Sequence, residues 1–217
     1  MKFSPASKKA SLGLVAAVLL AGCSSSVPKH SAVFSPTPEQ ATQATSAPAA
    51  AANTASSTGA IGSVDTSTWI EFAPQGAGFR VLLPNQPTES SAPMKTPVGT
   101  ASSTSWTYTD PANRVFLTTD VKFASGTLSK ATPKTVLDGA ATAMVAAVPG
   151  AHLSTQSDVT LHDHAGRNIS YTTAQVAFVC QIYIVGDDMN GICSAQAAGR
   201  FDQSIAQAFF ASYELTA

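Results

Sequence analysis

From Thr68 onward, apolar and polar positions alternate along much of the chain, and twice the alternation gives way to a helical period. Phe79, Val81 and Leu83 share one face of a predicted strand that Pro84 and Pro87 end, because proline cannot donate to a ladder. A long hairpin is predicted next. Trp106 and Tyr108 lie on one face of its first arm, Asp110 to Asn113 supply turn chemistry, and Val115, Leu117, Thr119, Val121 and Phe123 alternate along the second. Thr132-Pro133 predicts a helix start, with threonine as N-cap and proline at the first helical position. Val136, Ala140, Met144 and Val148, beside Leu137, Ala141 and Val145, form one apolar stripe, and Pro149-Gly150 stops the helix. In that stripe Met144 reads as core filler.

Two further hairpins follow, Leu153 to Leu161 with Arg167 to Ala174, and Val176 to Val185 with Met189 to Ala197. Asp202 is placed to cap a closing helix whose Ile205, Phe209 and Tyr213 face the sheet. Antiparallel hairpins set apart from two helices predict an α+β domain, one antiparallel sheet covered by helices.

The N-terminus has a different character. Lys2, Lys8 and Lys9 precede the apolar run Leu12 to Leu20, which is too short for a permanent membrane span and reads as an export signal over residues 1–22. Leu20-Ala21-Gly22-Cys23 resembles the bacterial lipobox, which implies cleavage before Cys23 and acylation of its thiol. The membrane is then a partner through lipid, since each buried methylene contributes about 0.8 kcal/mol. Of the 43 residues from 24 to 66, 31 are Ala, Ser, Thr, Pro or Gly. Such a segment buries too little surface to offset its ordering entropy, so residues 23–66 are expected to be a lipidated tether, leaving 67–217 as a single domain. Ser24 after the acylated cysteine is compatible with onward sorting to an outer membrane.

Charge narrows the function classes. Lys and Arg number 12 against 13 Asp and Glu, a balance with no electrostatic footprint for nucleic acid. No nucleophile elbow, glycine-rich phosphate loop or His-Glu-x-x-His motif occurs, so neither catalysis nor a cofactor is expected. Asp187-Asp188 beside Gly186 reads as a hairpin turn. The cluster that could carry chemistry is His162-Asp163-His164. On a strand, residues two apart point to one face, so His162 and His164 could share a metal ion. Two ligands do not complete a site, and a polar turn from His162 to Gly166 is the preferred reading.

With Cys23 acylated, two cysteines remain in an exported compartment that permits disulfides. A turn centred on Gly186-Asp187 places Cys180 and Cys193 directly opposite each other, within a small local shift of disulfide geometry. A structural bond between them is predicted, since the redox spacing Cys-x-x-Cys is absent.

The run from Gly78 to Pro87, the mid-chain helix, the turn from His164 to Tyr171 and the terminal Phe209 to Tyr213 together resemble the PsbP/Mog1-like α-β-α sandwich, a fold found in small bacterial lipoproteins. The resemblance implies binding or assembly support without catalysis. The expectation is therefore a lipid-anchored, extracytoplasmic binding module of the bacterial cell envelope with an envelope protein as partner, and a metal-binding envelope protein using His162 and His164 is the alternative.

Overall fold

The computed structural model describes residues 64–96 and 99–216. The export signal, Cys23 and the tether up to residue 63 lie outside the described residues. Two short strands, β1 (Ile70–Phe72) and β2 (Phe79–Leu83), come first. A three-stranded meander follows, β3 (Thr88–Thr96), β4 (Gly99–Thr109) and β5 (Val115–Phe123). Helix α1 (Pro133–Ala146) leads to a four-stranded meander, β6 (His152–Leu161), β7 (His164–Thr172), β8 (Val176–Val185) and β9 (Asp188–Ala197). Helix α2 (Gln203–Ala211) and β10 (Glu214–Leu215) close the chain.

The two meanders meet edge to edge. The large sheet runs β3-β4-β5-β9-β8-β7-β6 with every pair antiparallel, while β1-β2-β10 forms a small second sheet. Strand alternation sends Val115 and Leu117 to one face of the large sheet and Phe116 to the other, so two cores form back to back. On the first face Leu137 and Ala141 of α1 pack against Ile169, Tyr171, Phe178 and Cys180. On the second, Phe79 and Val81 of the small sheet join Phe209 of α2 over Trp106, Phe116 and Ile192. Phe209 meets Phe116 edge-on, with ring centroids 5.1 Å apart. The domain is thus an antiparallel α+β fold with two helices. Sheet predominates, and the second outer layer mixes a small sheet with a nine-residue helix instead of being helix alone.

Local chemistry explains the boundaries. The Thr132 hydroxyl accepts from Thr135 N at 3.2 Å, with Pro133 at the first helical position. One Asp202 oxygen accepts from Ser204 N and Ile205 N at 3.1 and 3.2 Å. Tyr213, expected on the closing helix, lies two residues beyond its end and is buried between Phe79 and Tyr183. Strand β3 escaped the pattern because Thr-Glu-Ser-Ser-Ala-Pro-Met-Lys-Thr is a mostly exposed edge strand, the setting in which Pro93 is tolerated.

Candidate functional site: an apolar cavity under the mid-chain helix

Helix α1 does not lie centrally on its face of the sheet. Leu137 and Ala141 seat it over β7 and β8, and the buried Arg167 guanidinium of β7 pairs with Asp138 of the helix and Asp158 of β6 at 2.5 and 2.6 Å. Among the described residues no α-helix is centred on the same sheet face over β3, β4, β5 and β9, and a cavity of about 380 Å³ opens there along the flank of α1.

The residues that leave this space are small or flexible. On the helix, Val136, Gly139, Ala140, Ala143 and Met144 present a thin wall. The floor comes from Ser103, Thr119 and Val121, with Ile182, Gly191 and Cys193 behind them. Gly191 has no room for a side chain, since a Cβ there meets Thr119 Oγ1 at 2.6 Å. Leu128, in a single 3-10 turn before α1, and Met94 and Phe123 complete the lining. Thr96 is half-buried and Thr135 and Gly139 are exposed, so they mark a rim that reaches solvent. Among the described residues that line the cavity none is charged, and its side-chain hydroxyls are those of Thr96, Ser103, Thr119 and Thr135; the Asn190 amide is turned to the opposite face of the sheet, donating to Ala77 O at 3.0 Å and Asp120 Oδ1 at 3.1 Å.

Three of the four methionines of the chain, Met94, Met144 and Met189, line this one space. Unbranched, polarisable thioethers adapt to ligands of varied shape. In the helical stripe read from the sequence, Leu137 and Ala141 are buried core, and Ala140 and Met144 pack against that core while also lining the cavity beside Val136.

No family model matches the chain, and no curated protein matches it. Among solved structures it is similar to the solution structure of cyanobacterial PsbP (CyanoP) from Synechocystis sp. PCC 6803, at 12% identity and a TM-score of 0.47, over 73% of this chain and 98% of that one. It is also similar to the crystal structure of PA94 from Pseudomonas aeruginosa, a protein of unknown function, at 10% identity and a TM-score of 0.36, over 64% of this chain and 87% of that one.

Cys180 and Cys193 face each other across β8 and β9, with Cα atoms 4.1 Å apart, and are bonded. The register that brings them together starts at the Val185↔Asp188 pair, whose two-residue turn has Gly186 at φ +64°. Asp187 also ties this turn to the loop before α1, its carboxylate accepting from Gly126 N at 2.8 Å. The bond is buried beneath α1, and Cys193 forms part of the cavity floor.

The His162-Asp163-His164 cluster takes a geometry different from the strand spacing. Leu161 pairs with His164, so the turn is the two residues His162 and Asp163, at φ +47° and +67°. Left-handed backbone at both positions is the I′ hairpin solution, and it removes His162 from the strand alternation that would have set it on the face of His164. Residues 164 to 166, expected in the turn, belong to β7. Among the described residues no group of three or more His, Cys, Asp or Glu side chains is placed to hold a metal ion.

Proposed function

We propose that this chain is a membrane-anchored extracytoplasmic lipoprotein of the bacterial envelope, acylated at Cys23, whose folded domain is a non-catalytic binding module. Its ligand site is the cavity beside α1. The single observation that carries the reading is a space of about 380 Å³ lined by apolar and uncharged side chains and reaching solvent at one rim. That volume falls within the range of small-molecule sites, which are concave, mainly apolar and largely pre-formed. The lipobox-like Leu20-Ala21-Gly22-Cys23 supports the anchor, and the long Ala/Ser/Thr/Pro segment after it supports a tether that lifts the domain off the lipid surface. The order of strands and helices supports a place in the PsbP/Mog1-like group. A protein partner in the envelope, to deliver or receive the ligand, belongs to the same reading.

The test uses the Cys23→Ala chain, which lacks the acyl acceptor and is handled without detergent. A neutral naphthylamine dye, bright only in apolar surroundings, should bind with saturation at one site. Ala143→Phe, which fills the space from the helix side, should weaken the dye at least tenfold while leaving the unfolding midpoint within a few degrees. Unsaturable fluorescence, or equal binding by both proteins, would remove the cavity as the site.

A further inference from the structure

The shape and chemistry of the cavity select a ligand class. Its lining reaches from β3 to β8 across the sheet, four strand spacings or roughly 19 Å. Along α1 it reaches from Thr135 to Met144, roughly 14 Å at the helical rise. The lining is thus a long apolar slot under the flank of α1.

The walls agree with the dimensions. No charged group of the described residues lines the slot, so nothing there would compensate a buried head group, whose desolvation without a partner is costly. The polar positions Thr96 and Thr135 stand at the rim, where a head group would remain in water. Flexible thioethers at Met94, Met144 and Met189 can follow a chain that bends.

We propose that the slot takes the aliphatic tail of an amphiphile, inserted tail first with its head group in solvent at the Thr96/Thr135 rim. The proposal rests on the binding-module reading and narrows its ligand. The tail comes from a free fatty acid or alcohol, or from a membrane lipid that offers one chain. Each methylene that enters contributes the same apolar burial, so affinity rises about fourfold per methylene until the slot is full and then levels off.

The experiment displaces the naphthylamine dye from the Cys23→Ala chain with two series of increasing length, 1-alkanols and n-alkanoates. Both series should show the same slope of about fourfold per methylene and the same plateau, because the head stays outside. Ala143→Phe should move that plateau to shorter chains while keeping the slope below it, an effect that general loss of stability does not produce. Gly139→Leu is a second variant, since a Cβ at this exposed helical position meets nothing within 4 Å. It should slow entry and shorten the plateau in a protein at least as stable as the original. Vesicles containing a lysophospholipid separate the sources: dye displacement by them equal to that by free alkanoate shows that a membrane lipid can supply the tail, and displacement by the free species alone restricts the ligand to the soluble pool. Dye binding that is indifferent to chain length would overturn the aliphatic-tail proposal and leave the cavity as a site for a compact apolar ligand. Failure of the dye to bind at all would overturn the binding-module reading itself.

Discussion

Replacing both bonded cysteines, Cys180→Ala with Cys193→Ala, should lower the unfolding free energy by about 3 kcal/mol, the chain-entropy value for a short closed loop. In a domain of this size that corresponds to a fall of roughly 6–12 °C in Tm. The bond joins residues 13 apart at facing positions of β8 and β9, the central pair of the large sheet on that side. It lies between α1 and the sheet, so the loss also loosens the cavity floor at Cys193. Thermal unfolding of the oxidised native chain and the double variant under identical conditions measures the effect. A difference below about 1 kcal/mol would show that the hairpin is already held by its turn and by the flanking strands, with little left for the cross-link.

The opposite sign is expected at Asp120. Its carboxylate is 3% exposed on the far face of the sheet, where Oδ1 accepts from Asn190 Nδ2 at 3.1 Å and Oδ2 lies 3.6 Å from Lys122 Nζ. Burial pushes its pKa up to about 6; Lys122 and the Asn190 hydrogen bond draw it down, and Asp188 adds to the rise. A carboxyl whose folded pKa exceeds its unfolded value near 3.9 binds its proton more tightly when folded. Its contribution is favourable at low pH and declines as pH rises from about 4 to about 6, by roughly 2–3 kcal/mol. Asp120→Asn keeps the acceptor for Asn190 and removes the charge. The variant should therefore be more stable than the native chain by roughly that amount at pH 7.5, match it near pH 4, and lack the slope between. Denaturant unfolding across this range decides the matter, and a variant less stable at pH 7.5 would show that the Lys122 pairing outweighs the burial of the charge.

These two sites differ in how visible they are along the chain. The disulfide register was legible because a two-residue turn with glycine at a positive φ leaves one way to pair the arms, and each pair along the ladder then follows from Val185↔Asp188. Helix caps at Thr132 and Asp202 were legible for the same reason, since the side chain that satisfies the first free amide groups is local. The cavity was not. Its existence depends on where α1 sits across the sheet, and that is decided by the Arg167 contacts with Asp138 and Asp158, which link residues 29 and 9 positions apart on three elements. Helical periodicity assigns Val136, Ala140 and Met144 to an apolar face but does not say whether that face meets another side chain or a void. A signal was nonetheless present in the small residues Gly139, Ala140 and Ala143 along one helix flank, and in methionines spread over three distant segments. Hairpin length was the weak point at His162, because a histidine at φ +47° costs conformational energy that only the surrounding ladder compensates, and no local pattern announces it.

The central claim is that the space beside α1 is a ligand site. Apart from Met1, every methionine of the chain lines it, so a sample labelled with carbon-13 at the methionine methyls places three reporters on the cavity wall. Titration of the Cys23→Ala chain with a medium-length alkanol, followed by methyl NMR, should move all three signals of Met94, Met144 and Met189 along one saturable curve with a single dissociation constant. Three signals that stay in place through ligand concentrations at which the dye is displaced would contradict the account.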